Sequence, residues 1–150
     1  MEPHSIIIAS DELCRDCQAC ALACSLFHEA ECSLTRARLQ ISKDMARYRF
    51  HITICQHCEE PACLDACPNG SIRTDDRGIV AISDDDCLRC GACLEACPYA
   101  AIFYDARSDR YLKCDWCSGR VKGPLCVELC PVGALAVGPR AATQEVDHGR

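Results

Sequence analysis

The stretch that decides the fold is Cys87-Leu-Arg-Cys90-Gly-Ala-Cys93-Leu-Glu-Ala-Cys97-Pro98. Three cysteines two residues apart lie on a tight loop, so their sulfurs can converge on three iron corners of one cube. The fourth, three residues on, starts a short helical turn and points away, toward a neighbouring site. Pro98 has no amide hydrogen with which to continue a helix, and it turns the chain outward. A unit built this way needs a partner unit, so even numbers of units are expected.

The same unit recurs on both sides. Cys55, Cys58, Cys63 and Cys67, followed by Pro68, stretch one gap to four residues. Cys114, Cys117, Cys126 and Cys130, followed by Pro131, stretch it to eight, with Gly119, Gly123 and Pro124 in the insertion. Cys14, Cys17, Cys20 and Cys24 keep the compact spacing, but Ser25 stands where proline is usual. The four groups use 16 of the 17 cysteines and leave only Cys32 outside. Such an internal repeat governs the whole reading. Zinc would use C-x2-C pairs without a third close cysteine and a distant fourth before proline. Disulfides fit an odd cysteine count poorly.

Composition agrees. Apolar residues make up 49% of the 150 residues, but that count includes the cysteines, and there are only one Trp, four Tyr and three Phe. A hydrocarbon core made from the remainder would be marginal, so metal–thiolate bonds must contribute to folding. The N-terminus has no basic n-region or long apolar stretch, and no run is long enough to span a bilayer. The chain therefore reads as cytoplasmic, without membrane insertion, where thiols stay reduced. Its net charge of −6, made more negative by cluster-bound thiolates, argues against nucleic acid as a partner.

Between the groups, Ile72 to Ile82 reads as a hairpin turning at Asp75 to Gly78, and Ala101 to Lys113 as a second. Arg38 to Thr53 makes a third, turning near Lys43 to Ala46. Leu135 to Val137 form a last strand pairing with Ile6 to Ile8. Helical turns are expected at Ala19 to Leu26 and Leu94 to Ala96. The fold class is α+β, hairpins and short helices wrapped on clusters. His28, His51 and His57 read as hydrogen-bonding or surface residues, since the thiolates already complete each group. Trp116 and Tyr99 read as shields against water. Arg36, Arg38, Lys43, Arg47 and Arg49 form a basic stretch, either a solvated face or a docking surface.

On these motifs the chain resembles bacterial-type ferredoxins in its third group. From about residue 6 to residue 138 it resembles the four-cluster ferredoxin-like subunits of multi-subunit oxidoreductases. These include the iron–sulfur subunits of dimethyl-sulfoxide reductase-like enzymes, formate dehydrogenases, hydrogenases and aldehyde oxidoreductases. Asp16 replaces the glycine often found before the second cysteine. The resemblance implies four [4Fe–4S] clusters with nested pairing. One takes Cys14, Cys17, Cys20 and Cys130; a second takes Cys114, Cys117, Cys126 and Cys24. A third takes Cys55, Cys58, Cys63 and Cys97; the fourth takes Cys87, Cys90, Cys93 and Cys67. It implies two nested dicluster modules, an outer half of residues 1–51 plus 107–138 and an inserted inner half of residues 52–106. Residues 139–150 are expected as a tail.

No nucleotide loop or flavin fingerprint is present, and clusters consume the interior, so the chain reads as a wire and not an enzyme. The leading expectation is a subunit relaying electrons between a catalytic partner and a second redox partner. The catalytic partner is a molybdenum or tungsten enzyme, with an aldehyde oxidoreductase as first choice, or a hydrogenase or formate dehydrogenase. The second partner is a flavin subunit, a ferredoxin or another copy of the chain. The alternatives are a freely diffusing polyferredoxin and a metalloenzyme maturation protein.

Overall fold

The computed structural model describes residues 5–140. In chain order they form β1 (Ser5–Ala9), α1 (Ala19–Glu29), a 3-10 turn (Leu34–Arg36), β2 (Leu39–Asp44), β3 (Arg49–Ile54) and α2 (Ala62–Asp65). Then come β4 (Ile72–Thr74), β5 (Val80–Ile82), α3 (Ala92–Ala96), β6 (Ile102–Asp105), β7 (Arg110–Lys113), α4 (Leu125–Glu128) and β8 (Leu135–Pro139). The strands pair antiparallel as β1–β8, β2–β3, β4–β5 and β6–β7. This is the expected α+β class of short hairpins and short helices.

Each helix is entered two residues before the third cysteine of its group. In the compact groups the entry residue is left-handed: Gln18 (φ 62°) before Cys20 and Gly91 (φ 80°) before Cys93. Gly91 suits this left-handed conformation, and a Cβ there would stand 2.9 Å from the Tyr111 hydroxyl, which would have to shift. In the stretched groups the entry residue is an extended proline, Pro61 before Cys63 and Pro124 before Cys126. Proline has its φ preset for entering a helix. The longer gaps thus lead into the same turn by another backbone route.

What ends the helices differs in one case. α2, α3 and α4 are four or five residues long and stop before Pro68, Pro98 and Pro131. α1 has no proline after Cys24 and runs on to Glu29, eleven residues in all and three past the expected end at Leu26. Ser25, fully buried, bonds the Leu22 carbonyl (3.0 Å) and accepts the Ser33 amide (2.9 Å).

The first hairpins lie where expected, while the β2–β3 turn falls at residues 45–48, about two residues later. β1 meets β8 with Ile7 opposite Val137, and β8 continues through Pro139, so the expected tail begins in a strand. Residues 141–150 lie outside the described residues. Sulfur is threaded through the interior: Cys14, Cys20, Cys24, Cys55, Cys114 and Cys126 share one core with residues that include Ile7, Leu39, Ile52, Ile54 and Trp116. Cys63 and Cys93 share a second with Ile72, Val80 and Ile102.

The structure divides the basic stretch, leaving Arg47 and Arg49 exposed and drawing Arg36 and Arg38 into largely buried ion pairs. Arg36 is mostly buried and binds Glu29 (3.1 Å), Glu31 (3.2 Å) and Asp105 (2.9 Å). Arg38 binds Asp115 (2.9 Å), Lys43 binds Asp16 (2.6 Å) and Arg47 binds Asp44 (3.4 Å). Arg36 and Arg38 are internal struts, so they do not form a docking surface. Glu29, with its side chain 4% exposed, also binds Arg110, which in turn holds Asp84 (2.9 Å). This clasp ties the end of α1 to the β6–β7 hairpin and to the loop after β5.

Replacing Glu29 with alanine leaves two arginines without their shared buried carboxylate, a change that costs about 3 kcal/mol when a buried pair is broken. The Glu29→Ala chain is expected to unfold at lower denaturant concentration under anaerobic conditions. Arg47→Ala, which removes only an exposed pair, should leave the midpoint in place.

Candidate iron–sulfur sites

The first C-x2-C loop of every group carries a left-handed residue just before the second cysteine. These are Asp16 (φ 55°), His57 (φ 43°), Arg89 (φ 61°) and Trp116 (φ 64°). The conformation favours glycine, and for the bulkier side chains it costs about 1 kcal/mol or more. It persists because it turns amides toward sulfur. His57 N–H donates to Cys55 Sγ (3.3 Å), Arg89 N–H to Cys87 Sγ (3.4 Å), and the Trp116 amide bonds Cys114.

The fourth cysteine is served by its own turn. In the proline-containing groups the amide four residues on reaches back to sulfur: Ala101 to Cys97 (3.4 Å), Ala134 to Cys130 (3.2 Å) and Ser71 to Cys67. Burial pushes the Cys67 and Cys130 thiols up, but these converging amides outweigh it and leave both below the ordinary thiol value. Cys24 lacks such a turn because its helix continues. Its sulfur is met instead by the Arg38 amide (3.3 Å), fourteen residues away.

The thiols gather in fours, each set drawing one member from another group. Cys14, Cys17, Cys20 and Cys130 line one cavity with Ile41, Ile52 and Leu135. Cys55, Cys58, Cys63 and Cys97 line a second with Val80, Tyr99 and Ile102. Cys67, Cys87, Cys90 and Cys93 line a third with Ile72 and Tyr111. Cys126 feels the charges of Cys24, Cys117 and Cys20, and Cys114 those of Cys55, Cys126 and Cys24, so the remaining cysteines also lie close together. Four thiols, an apolar wall and amides aimed at sulfur fit a cubane cluster.

Burial and crowding hold many of these thiols protonated on their own. Burial pushes Cys20, Cys24 and Cys63 up to about 11, and neighbouring cysteines add to the effect. Fully buried Cys114 is raised further, by burial first and then by Cys55. Iron replaces the protons and removes the mutual repulsion.

The histidines do other work. His51 Nδ1 lies 2.6 Å from Asp11 Oδ2, and His28 sits 3.4 Å from Asp115. His57 is fully buried, accepts the Val80 amide at Nδ1 (3.0 Å) and meets Trp116 edge-on at 6.0 Å. Burial, then the charge of Lys113, lowers its pKa to about 3, so the ring is neutral. Trp116 is buried and Tyr99 lines a cysteine-ringed cavity, as shields should. Sequence reasoning passed over Lys113, since a lysine before a cysteine in a strand reads as surface. Its only signal is its place directly before the first cysteine of the fourth group.

Residues 46–140 match the 4Fe-4S dicluster domain family, and residues 11–26 match a 4Fe-4S binding domain. The probable anaerobic dimethyl sulfoxide reductase chain YnfG of Escherichia coli K12 is 36% identical over 141 residues, covering 84% of this chain and 69% of that one. The thiosulfate reductase electron transfer subunit PhsB of Salmonella typhi is 29% identical over 143 residues, covering 89% and 74%. Among solved structures, the active site complex BamBC of benzoyl coenzyme A reductase with benzoyl-CoA has a chain 28% identical at a TM-score of 0.52, covering 89% of this chain and 78% of that one.

Cys32 is exposed and joins none of the four sets. Cys32→Ala is expected to keep the full iron content and to change stability by no more than about 0.5 kcal/mol, as other surface substitutions do. Iron analysis and an anaerobic denaturation curve check both; loss of iron would enlarge the set of functional cysteines.

Proposed function

The chain belongs to the 4Fe-4S dicluster iron–sulfur subunits of oxidoreductase complexes, and on that premise we propose that it relays electrons between a reductase's catalytic subunit and a second redox partner through four separately held sites. It is an electron-transfer subunit and not the catalytic one. Its cofactors are [4Fe–4S] clusters. A bound cluster supplies reversible one-electron chemistry. The chain's own residues hold sulfur in place, exclude water and aim amides at thiolates.

The reading assigns one site to Cys14, Cys17, Cys20 and Cys130, and a second to Cys114, Cys117, Cys126 and Cys24. It assigns a third to Cys55, Cys58, Cys63 and Cys97, and a fourth to Cys87, Cys90, Cys93 and Cys67. The observation that carries it is that three cavities are each lined by four cysteines, three from one group and one from another. The sites fall in an outer half, residues 1–51 plus 107–138, and an inner half, residues 52–106. The inner half is an insertion in the outer one. The thiols, none of them in a disulfide, suit the reducing cytoplasm, and among the described residues no helix is long and apolar enough to cross a membrane.

For the catalytic partner we favour a molybdenum or tungsten enzyme, an aldehyde oxidoreductase first. What supports a large reductase partner is similarity to chains named for dimethyl sulfoxide and thiosulfate reductases and to a chain of a benzoyl coenzyme A reductase active-site complex. The last likeness covers 97% of this chain at 25% identity and a TM-score of 0.55. The onward partner is a flavin subunit, a ferredoxin or a second copy.

Anaerobically purified protein is expected to hold about 16 iron and 16 sulfide per chain, from cubes of four. In Cys97→Ser, the perturbed paramagnetic signal should be the one also perturbed by Cys58→Ser, and not the one perturbed by Cys90→Ser. A shared signal between Cys97 and Cys90 sinks the nested assignment.

The complex isolated from native cells should contain molybdenum or tungsten in proportion to this chain, read by elemental analysis. Nickel in that proportion would instead identify a hydrogenase. A chain that purifies without any larger subunit would favour the freely diffusing polyferredoxin.

A further inference from the structure

Lys113 is the last residue of β7 and immediately precedes Cys114, yet it is only 4% exposed. Its ammonium donates to Cys55 Sγ (2.9 Å), to the Val80 carbonyl and, more distantly, to the Cys114 carbonyl (3.5 Å). Among the described residues it pairs with no carboxylate, whereas Arg36, Arg38 and Arg110 each hold one or more acids. A buried cation without a counter-charge is too costly to keep. Asp75, Asp84 and Asp115 line the same cavity, but the one ionisable group its ammonium is hydrogen-bonded to is the Cys55 thiol. Cys55 is in contact, and the same charge acts on Cys58 and Cys63. Lys113 also stands where two sets of thiols meet, because Cys114 feels the charge of Cys55 more than that of any other cysteine. His57 and Trp116 close the same joint.

We propose that Lys113 is a positioning residue whose ammonium, fixed at this joint, raises the reduction potential of the site ringed by Cys55, Cys58, Cys63 and Cys97. This rests on the reading of those cysteines as cluster ligands. An electron entering that site adds one negative charge, which appears largely on the sulfur-rich shell. A cation hydrogen-bonded to Cys55 stabilises the reduced form more than the oxidised one. The site on the inner side of the joint is thereby made the favoured resting place for an electron crossing between the halves. Among the described residues no lysine is hydrogen-bonded to a sulfur of the sites ringed by Cys14 and by Cys87.

The test uses the full chain, reduced stepwise under anaerobic conditions and followed by paramagnetic resonance, with the site's signal identified through Cys58→Ser. In Lys113→Met the reduced-to-oxidised ratio of that signal at the wild-type midpoint should fall at least about tenfold, equivalent to about 59 mV for one electron. Lys113→Arg should restore most of the potential, and Lys113→Gln, which keeps an N–H donor without charge, should not. Iron content should be unchanged in all three. A methionine or glutamine variant with full iron and the wild-type midpoint overturns the proposal. If the methionine variant loses iron, the glutamine and arginine variants decide, and equal midpoints for these two overturn it. Wild-type protein free of iron and sulfide would overturn instead the ligand reading beneath it.

Discussion

Thiols brought together in fours repel one another once ionised, and resist ionisation while buried. The chain places such sets in the middle of its interior, with Cys14, Cys20, Cys24, Cys55, Cys114 and Cys126 all in one core beside aliphatic residues. Iron would relieve that cost by binding the thiolates and offsetting part of their charge. Everything else in the fold serves this exchange. Three of the four helices are only long enough to aim a third cysteine, and the strands come in pairs.

The backbone accommodates the clusters by one device used four times. A left-handed residue stands before the second cysteine of every group, whether it is aspartate, histidine, arginine or tryptophan. Glycine would adopt that conformation without strain. That four different side chains accept it means the loop shape is imposed from the sulfur side. The amides exposed by that turn, and by the turn after each Cys-Pro, are then the nearest dipoles to the thiolates. They set the local electrostatics before any side chain is considered.

The hairpins, the helix starts and the sulfur sets follow from spacing that anyone can count, because cysteine positions fix where the chain must turn. Side-chain electrostatics were not legible in the same way. Arg36 and Arg38 look like surface charge in a basic run, yet they pair with Glu29, Asp105 and Asp115 from distant segments. Lys113 looks like an exposed strand end, yet Val80 and Cys55, far away in the chain, enclose it. His57 looks polar and is sealed against Trp116. In each case the partner is set by long-range packing, to which local pattern carries no signal.

One departure from the repeat ties these observations together. Ser25 takes the place of the proline that ends every other group's helix. With an amide hydrogen available, α1 continues beyond Cys24 and delivers Glu29 at its end. Glu29 is the carboxylate that Arg36 and Arg110 share, and through them Asp105 and Asp84 are drawn in. A proline at this position would stop the helix at or before Cys24, as it does in the other three groups, and withdraw that carboxylate from the clasp. It would also restore the turn that serves Cys67, Cys97 and Cys130, and so remove the need for Arg38 to donate to Cys24. The loss of a proline in the first group thus replaces a local sulfur-binding turn by long-range contacts. Those contacts join the first segment of the chain to the β6–β7 hairpin, whose far end carries Lys113 to the joint between two thiol sets. The distance and orientation across that joint are therefore held by ordinary ion pairs of the polypeptide as well as by sulfur.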